Sequence, residues 1–173
     1  MKIRNAAGLV VLALSAGSTL ASAEFTEATI YTEPHNAAAA FISTLHFMVG
    51  RMGRDCAGPL SKAESFPKEV VAGWEGRNGE YYEASTLYAG NVMSYYERTR
   101  GKDFAAAAMN EFSSSVQGQG AAVAQDMLSV PDKRAACTTF LARLDAGGFD
   151  ITASRPFFKE LTELVAIARA FRH

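Results

Sequence analysis

Residues 38 to 56 carry the pattern that most restricts how this chain can fold. Their apolar side chains recur at steps of three and four residues: Ala38, Phe41, Ile42, Leu45, Met48, Val49, Met52 and Cys56. This spacing is typical of one face of an amphipathic helix, because about 3.6 residues make one turn. Pro34 suits the first turn of such a helix. The pattern therefore predicts a helix that begins near Pro34 and packs its apolar side against neighbours.

A second long segment, residues 66 to 100, follows after a loop. Ser65 is expected to cap it, since serine accepts hydrogen bonds from the free amides of a first turn. The glycines at 73, 76 and 79 each cost about 1 kcal/mol against alanine in a helix. The segment is therefore either one helix to about Arg100 or two helices broken at Asn78-Gly79.

The remaining boundaries are predicted from caps and glycines. Asp103 is expected to cap a third helix over residues 104–116, and the glycines at Gly118-Gln119-Gly120 predict a break or kink before helix resumes over 121–128. Pro131-Asp132 is expected to open a fourth helix that Gly147-Gly148 ends. Ser154 is expected to cap the last.

The first 23 residues follow the plan of a bacterial export signal. Lys2 and Arg4 give a positive amino end, residues 6–14 form a short apolar core, and Ala21-Ser22-Ala23 is a small-x-small cleavage site. Serine, glycine and threonine interrupt the apolar run, so cleavage is favoured over an uncleaved anchor. We expect residues 1–23 to be removed, leaving 24–173 as a single helical domain in the periplasm or secreted, with no stable membrane span.

The composition of the mature chain excludes some classes of partner. The signal holds two of the 17 basic residues and none of the 18 acidic ones, so the mature net charge is −3. A mildly acidic chain without a basic block gives nucleic acid nothing to hold. The 150 remaining residues suffice for one core. Alanine-rich composition and only 5 prolines favour helix, and the prediction is an all-α single-domain bundle of five or six helices.

The only two cysteines, Cys56 and Cys137, are expected to form a disulfide. An exported chain reaches an oxidising compartment, where two cysteines are most simply partners. The bridge would close a loop of most of the domain, worth about 4 kcal/mol in the chain-entropy model. A catalytic thiol is the alternative, but no CxxC and no nearby histidine in the sequence supports it.

No pattern in the sequence predicts a metal, a cofactor or a catalytic residue. His35 and His46 are eleven residues apart on the first helix, about 16 Å by helical rise, so they cannot share one metal ion. His35 is expected to be polar surface, and His46 partly buried and hydrogen-bonded. Signatures such as HExxH, GxSxG and a phosphate-binding glycine loop are not found.

The stretch whose side chains best suit a binding site runs from Trp74 to Tyr82. Its candidate ligand- or partner-binding residues are Trp74, Arg77, Asn78, Glu80, Tyr81 and Tyr82. A structural interpretation has Arg77 and Asn78 satisfying loop carbonyls while the rings fill the core. A functional interpretation has the same rings and donors lining a groove, because Trp, Tyr and Arg dominate binding hot spots. Glu75 and Glu80 diverge by about 140 degrees on a helix, so they do not face one bond.

In size, helical class and compartment the chain is similar to small periplasmic helical proteins, among them immunity proteins that protect bacteria from their own cell-wall-degrading effectors. The similarity carries over no functional residue. It favours a non-enzymatic, exported binding or inhibitor protein that acts by contact with a protein partner in the periplasm. The alternative is a small periplasmic hydrolase or ligand-binding protein with a site near Trp74, Arg77 and Tyr81.

Overall fold

The computed structural model describes residues 30–60 and 65–171. Six helices occupy most of these two ranges: α1 (Glu33–Asp55), α2 (Ala57–Leu60), α3 (Ser65–Arg100), α4 (Lys102–Met127), α5 (Lys133–Asp145) and α6 (Phe158–Ala170). Neither range contains a β-strand. The predicted all-α fold of five or six helices is confirmed. The expected signal segment, residues 1–23, lies outside the described residues.

Helix α1 occupies the centre of the bundle and packs against α3, α4 and α6. Its predicted apolar face is the buried one, and Ala38, Ile42 and Met52 have no exposed surface. The helix starts at Glu33, with Pro34 in its first turn and the Thr32 hydroxyl accepting the amide of His35. The predicted start near Pro34 is confirmed.

Helix α3 runs without interruption through residues 73–79, which decides between the one-helix and two-helix alternatives. Its 36 residues span roughly 54 Å. Trp74, Asn78 and Tyr88 are buried along it, at 1%, 2% and 4% exposure. Because these side chains are anchored in the core, packing outweighs the low helix propensity of the glycines between them.

Helix α4 is also continuous, so of the break or kink predicted at Gly118-Gln119-Gly120 the break is wrong. Gly120 is buried where α4 crosses α1, and a β-carbon added there would lie 2.8 Å from Phe47 Cδ1 and 3.1 Å from the Thr44 carbonyl oxygen. The glycine therefore permits close contact between two helices. The predicted cap is wrong as well, since α4 begins at Lys102 after Gly101, and Asp103 lies within the first turn.

The ends of α5 agree with the sequence, whereas the start of α6 does not. The Asp132 carboxylate accepts the amide of Ala135 at 2.9 Å and caps α5, and Gly147 follows the helix with a φ of 77°. Ser154 does not cap α6. That helix begins at Phe158 after Phe157, whose φ of 61° is left-handed, and no side chain caps it. Ser154 was predicted as the cap because of its residue type, and the sequence does not show the path of the loop between α5 and α6.

Cys56 and Cys137 form the predicted disulfide. The sulfurs are bonded, the Cα atoms are 5.4 Å apart, and both residues are fully buried. The bond joins the end of α1 to α5, which packs against α2 and α3. Within the described ranges, no helix is long and apolar enough to cross a membrane.

Candidate functional site

The Trp74–Tyr82 stretch of α3 divides into two halves with different surroundings. Trp74 and Asn78 are one helical turn apart, so they project from the same side of α3. Both are buried, and they face the loop that follows α5. Tyr82 lies two turns beyond Trp74 and faces α1 instead.

Asn78 is fully used in holding the loop after α5. Its amide nitrogen donates to the Trp74 carbonyl at 2.9 Å and to Asp150 Oδ1 at 3.0 Å. Its amide oxygen accepts the backbone N–H of Ile151 at 2.7 Å. A buried amide with these partners fixes the path of the loop, because the Ile151 N–H would lose its acceptor without it.

Arg77 and Trp74 hold the same loop from either side of Asn78. The Trp74 indole donates to the Phe149 carbonyl at 3.1 Å. Arg77 donates to Asp150 Oδ2 at 2.8 Å and to the Leu144 carbonyl at 2.8 Å. We call Trp74, Arg77 and Asn78 the loop clamp.

The Asp150 carboxylate is the charged centre of these contacts. Burial opposes its ionisation, but the hydrogen bonds from Arg77 and Asn78 outweigh burial and hold the pKa of Asp150 below its ordinary value of 3.8. The positive charge of Arg155 acts in the same direction, and its side chain also donates to the Asp150 and Gly148 carbonyls. The carboxylate therefore remains ionised in the folded protein at neutral pH.

The other three candidate residues are not part of this clamp. Glu80 pairs with Arg169 of α6 across an exposed surface. Tyr81 is half-buried against the core. Tyr82 stacks on the His46 ring, with centroids 3.8 Å apart and planes within 8° of parallel. The structure therefore gives the six residues four different environments, one for the clamp and one for each of the other three.

His46 links α1 to α3 through two contacts. Its Nε2 lies 3.1 Å from Glu75 Oε1, and its ring is held flat against Tyr82. The side chain is 29% exposed, so the expected partly buried and paired state of His46 is present. Glu75 and Glu80 contact different partners, His46 and Arg169, as their divergence on the helix predicts.

A cavity of about 410 Å³ opens beside His46 between α1, α3 and α4. We call it the His46 cavity. Its lining is aromatic and sulfur-containing with a few polar groups: His46, Phe47, Tyr82, Thr86, Met109, Phe112, Ser113 and Gln117. Its volume lies within the range of small-molecule sites.

A second cavity of about 400 Å³ lies further along the same three helices. We call it the Tyr88 cavity. Residues on its walls include Asn36, Tyr88, Met93, Tyr96, Ala108, Glu111 and Phe112. The Tyr88 hydroxyl donates to Asn36 Oδ1 at 2.8 Å. Burial raises the pKa of Tyr88 above its ordinary value, and the neighbouring Tyr96 and Tyr31 raise it further, so the phenol stays neutral.

The prediction that His35 lies on the polar surface is wrong. It is 6% exposed, its Nδ1 lies 2.7 Å from the Ile30 carbonyl oxygen, and its Nε2 lies 3.1 Å from Glu163 Oε2. A histidine so buried needs such partners, since an unpaired polar ring in a core is costly. Among the described residues, no three His, Cys, Asp or Glu side chains converge as metal ligands.

Of the residues that line the His46 cavity, the sequence predicts only Tyr82 as a site residue. Phe47 and Phe112 come from other helices and lie thirty or more residues from Tyr82 in sequence. Their positions in the sequence do not show which neighbouring helix these two rings face. The order in which α1, α3 and α4 pack was the missing information. No family model, curated protein or solved structure matches this chain.

Proposed function

We propose that this protein is an exported, non-enzymatic binding protein that acts by contact with a periplasmic protein partner. The docking face is the rim of the His46 cavity. Export is supported by the charged, apolar and small-residue pattern of the first 23 residues. The docking face is supported by the composition and rigidity of the side chains around His46.

The stacked Tyr82–His46 pair is the observation that carries this proposal. Stacking and the Glu75 contact fix both rings before any partner arrives. A ring that is already ordered loses little conformational freedom on binding, which favours affinity. Aromatic residues and methionine are also enriched at protein interfaces, and Phe47, Phe112 and Met109 supply them here.

The loop clamp contributes to this proposal indirectly. Trp74 and Asn78 are buried and engaged with the loop after α5, so they hold the bundle together and do not contact the partner. The partner-binding role proposed for the nominated stretch therefore rests on Tyr82. Its neighbours in that role are His46 and Phe47 on α1.

A small hydrolase is the second candidate function, favoured by the 3.1 Å approach of His46 Nε2 to Glu75 Oε1. Such a pair can orient a general base. Two features favour binding over catalysis. Glu75 is 45% exposed, so water screens its charge. The hydroxyls of Thr86 and Ser113 in the cavity are turned to the Tyr82 carbonyl and to Met109 Sδ.

The test of the proposal is capture followed by a measured affinity. The mature protein is immobilised and exposed to periplasmic extract from the producing bacterium, and the captured protein is identified, purified and titrated against the wild type. Tyr82→Ala and Phe47→Ala are each expected to weaken the Kd at least about tenfold, as the loss of an aromatic hot spot does.

Leu87→Ala is the matched control for these variants. Leu87 is also an apolar residue of α3, is 44% exposed, and lies about 140° around the helix from Tyr82. It is expected to leave the Kd unchanged. Equal retention of the partner by Tyr82→Ala, Phe47→Ala and Leu87→Ala would refute the docking face. Hydrolysis of a chromogenic ester or glycoside that is lost in His46→Gln would favour the second candidate instead.

A further inference from the structure

The Tyr88 cavity has features that the proposed docking face does not use. It shares only Ala89 and Phe112 with the His46 cavity and is reached from a different stretch of α3. Its polar groups differ too, since Asn36, Tyr88, Glu111 and Ser115 replace the histidine. The chemistry of these walls limits the kind of molecule that fits them.

The walls of the Tyr88 cavity carry negative charge and no positive charge. Glu111 is the one ionisable acid among the residues that line it, and no Lys, Arg or His lines it. Within the described ranges, the Glu111 carboxylate makes no hydrogen bond and no ion pair with another residue. Glu111 is exposed, so water screens its charge as it does that of Glu75, and the carboxylate favours a cation over an anion only modestly.

Three aromatic rings face the same space. Tyr88, Tyr96 and Phe112 line the cavity, and Met93 and Val92 complete the apolar wall. Ring faces carry partial negative charge and attract cations, most strongly where water is displaced. Aromatic side chains combined with a single carboxylate are a recognition pattern for amines and quaternary ammonium groups.

Tyr96 already contacts a cation of the protein itself. The Arg100 guanidinium carbon lies 5.5 Å from the Tyr96 ring centroid and 4.7 Å from that of Phe104. These distances are within the range of cation–π attraction. One positive charge of the protein thus already lies against the Tyr96 ring, although Arg100 does not line the cavity.

The Tyr88 hydroxyl supplies a fixed polar contact on the opposite wall. Its proton is committed to Asn36 Oδ1 and its oxygen accepts from the Thr32 backbone, so one lone pair of the phenolic oxygen remains for a donor such as an ammonium N–H or a ligand hydroxyl. An acceptor in this position favours a cation or a neutral donor over an anion. It also adds no competing positive charge.

We propose that the Tyr88 cavity binds a small organic cation, a quaternary ammonium or protonated amine with an apolar body. The rings contact the apolar body and the charged head, Glu111 provides the counter-charge at the mouth, and the Tyr88 oxygen accepts from the ligand. Binding needs no protein partner, so this site is independent of the docking face.

The charge requirement is tested with two molecules of almost equal shape. Choline and 3,3-dimethylbutan-1-ol differ in replacing a quaternary nitrogen by carbon, and benzyltrimethylammonium extends the series with a larger apolar body. Each is titrated into the purified wild-type protein by NMR. The cations are expected to bind at least tenfold tighter than the alcohol and to shift ring signals of Tyr88, Tyr96 and Phe112.

Variants in the cavity locate the site. Tyr96→Leu and Ala108→Leu, the second of which fills the cavity, are each expected to weaken cation binding at least fivefold. Glu111→Gln is expected to weaken it about threefold and to lessen its dependence on salt. Glu97→Gln, an exposed acid of α3 outside the cavity, is the matched control and should leave the Kd unchanged. Thermal melts verify that each variant is folded.

Two results would overturn the proposal. One is equal binding of the alcohol and the cations, or no binding of either cation. The other is cation binding that Ala108→Leu and Tyr96→Leu leave intact while both proteins remain folded. Tyr82→Ala should leave cation binding unchanged, so failure of the docking face and failure of this site are distinguishable.

Discussion

The two halves of the Trp74–Tyr82 stretch differ in how completely their polar and aromatic groups are used within the fold. Trp74 and Asn78 are buried and bonded to the loop after α5. Tyr82 is half-buried and borders a cavity of about 410 Å³. Residue type is the same mixture of rings and donors in both halves. The difference shows that structural residues are separated from candidates for binding by their contacts within the fold, and not by residue type.

The half that forms the loop clamp and the half that borders the His46 cavity also depend on different parts of the chain. We call them the clamp half and the groove half. The clamp needs α5 and its following loop to be held against α3, and the disulfide fixes α5 to the end of α1. The groove is formed by α1, α3 and α4. Each half can therefore be perturbed separately.

Removal of the disulfide should affect the clamp half most. Replacing both Cys56 and Cys137 with alanine releases a loop with a sequence separation of 81, and the free energy of unfolding is expected to fall by about 4 kcal/mol. Urea denaturation measures the loss. Hydrogen exchange should increase first in α5 and its loop, and a uniform increase across α1, α3 and α4 would contradict the separation of the halves.

Asn78→Ala should cost about 3 kcal/mol of unfolding free energy. The substitution leaves the Ile151 N–H buried without an acceptor and removes a donor to Asp150. Asn110→Ala on the exposed face of α4 is the matched control and should change stability by less than about 0.5 kcal/mol. A loss below about 1 kcal/mol for Asn78→Ala would show that the loop holds its path without the clamp.

The glycines of α4 test the groove half. Gly120→Ala is expected to destabilise by about 1–3 kcal/mol, because the new carbon meets Phe47 and the Thr44 backbone. Gly118→Ala, two residues earlier, meets no atom within 4 Å and should stabilise by about 1 kcal/mol through helix propensity. Thermal melts compare them. If Gly120→Ala stabilised the protein as Gly118→Ala does, α4 and α1 would be further apart than described.

Acid should weaken the clamp half selectively through Asp150. Its pKa is lower folded than unfolded, so the carboxylate contributes stability above its ordinary value of 3.8, and this contribution is lost as pH falls through the folded pKa. The stability difference between wild type and Asp150→Asn should therefore shrink below about pH 4. A difference that stays constant between pH 6 and pH 2.5 would exclude this linkage.

The helical fold was predictable because local periodicity and burial agree. The apolar steps of α1 and the buried face of α5 at Cys137, Phe140, Leu141 and Leu144 are both visible in the chain. The disulfide was predictable from cysteine number and expected export. These inferences need no knowledge of how helices are arranged in space.

The errors arose where tertiary contacts outweigh local preference. Gly120 is a point of helix contact, although its residue type predicts a break, and His35 is buried by partners from α6 and from Ile30. The cavities depend on residues from three helices and could not be read from any one of them. The clamp was foreseen only as one of two interpretations of Arg77 and Asn78.

The most direct test of the division between the halves is an NMR chemical-shift map of the protein with its purified partner. The account predicts that shifts concentrate at Phe47, Tyr82 and Phe112, with the loop at residues 146–157 unchanged. Shifts concentrated at Phe149 to Ile151, with the His46 cavity unaffected, would contradict it.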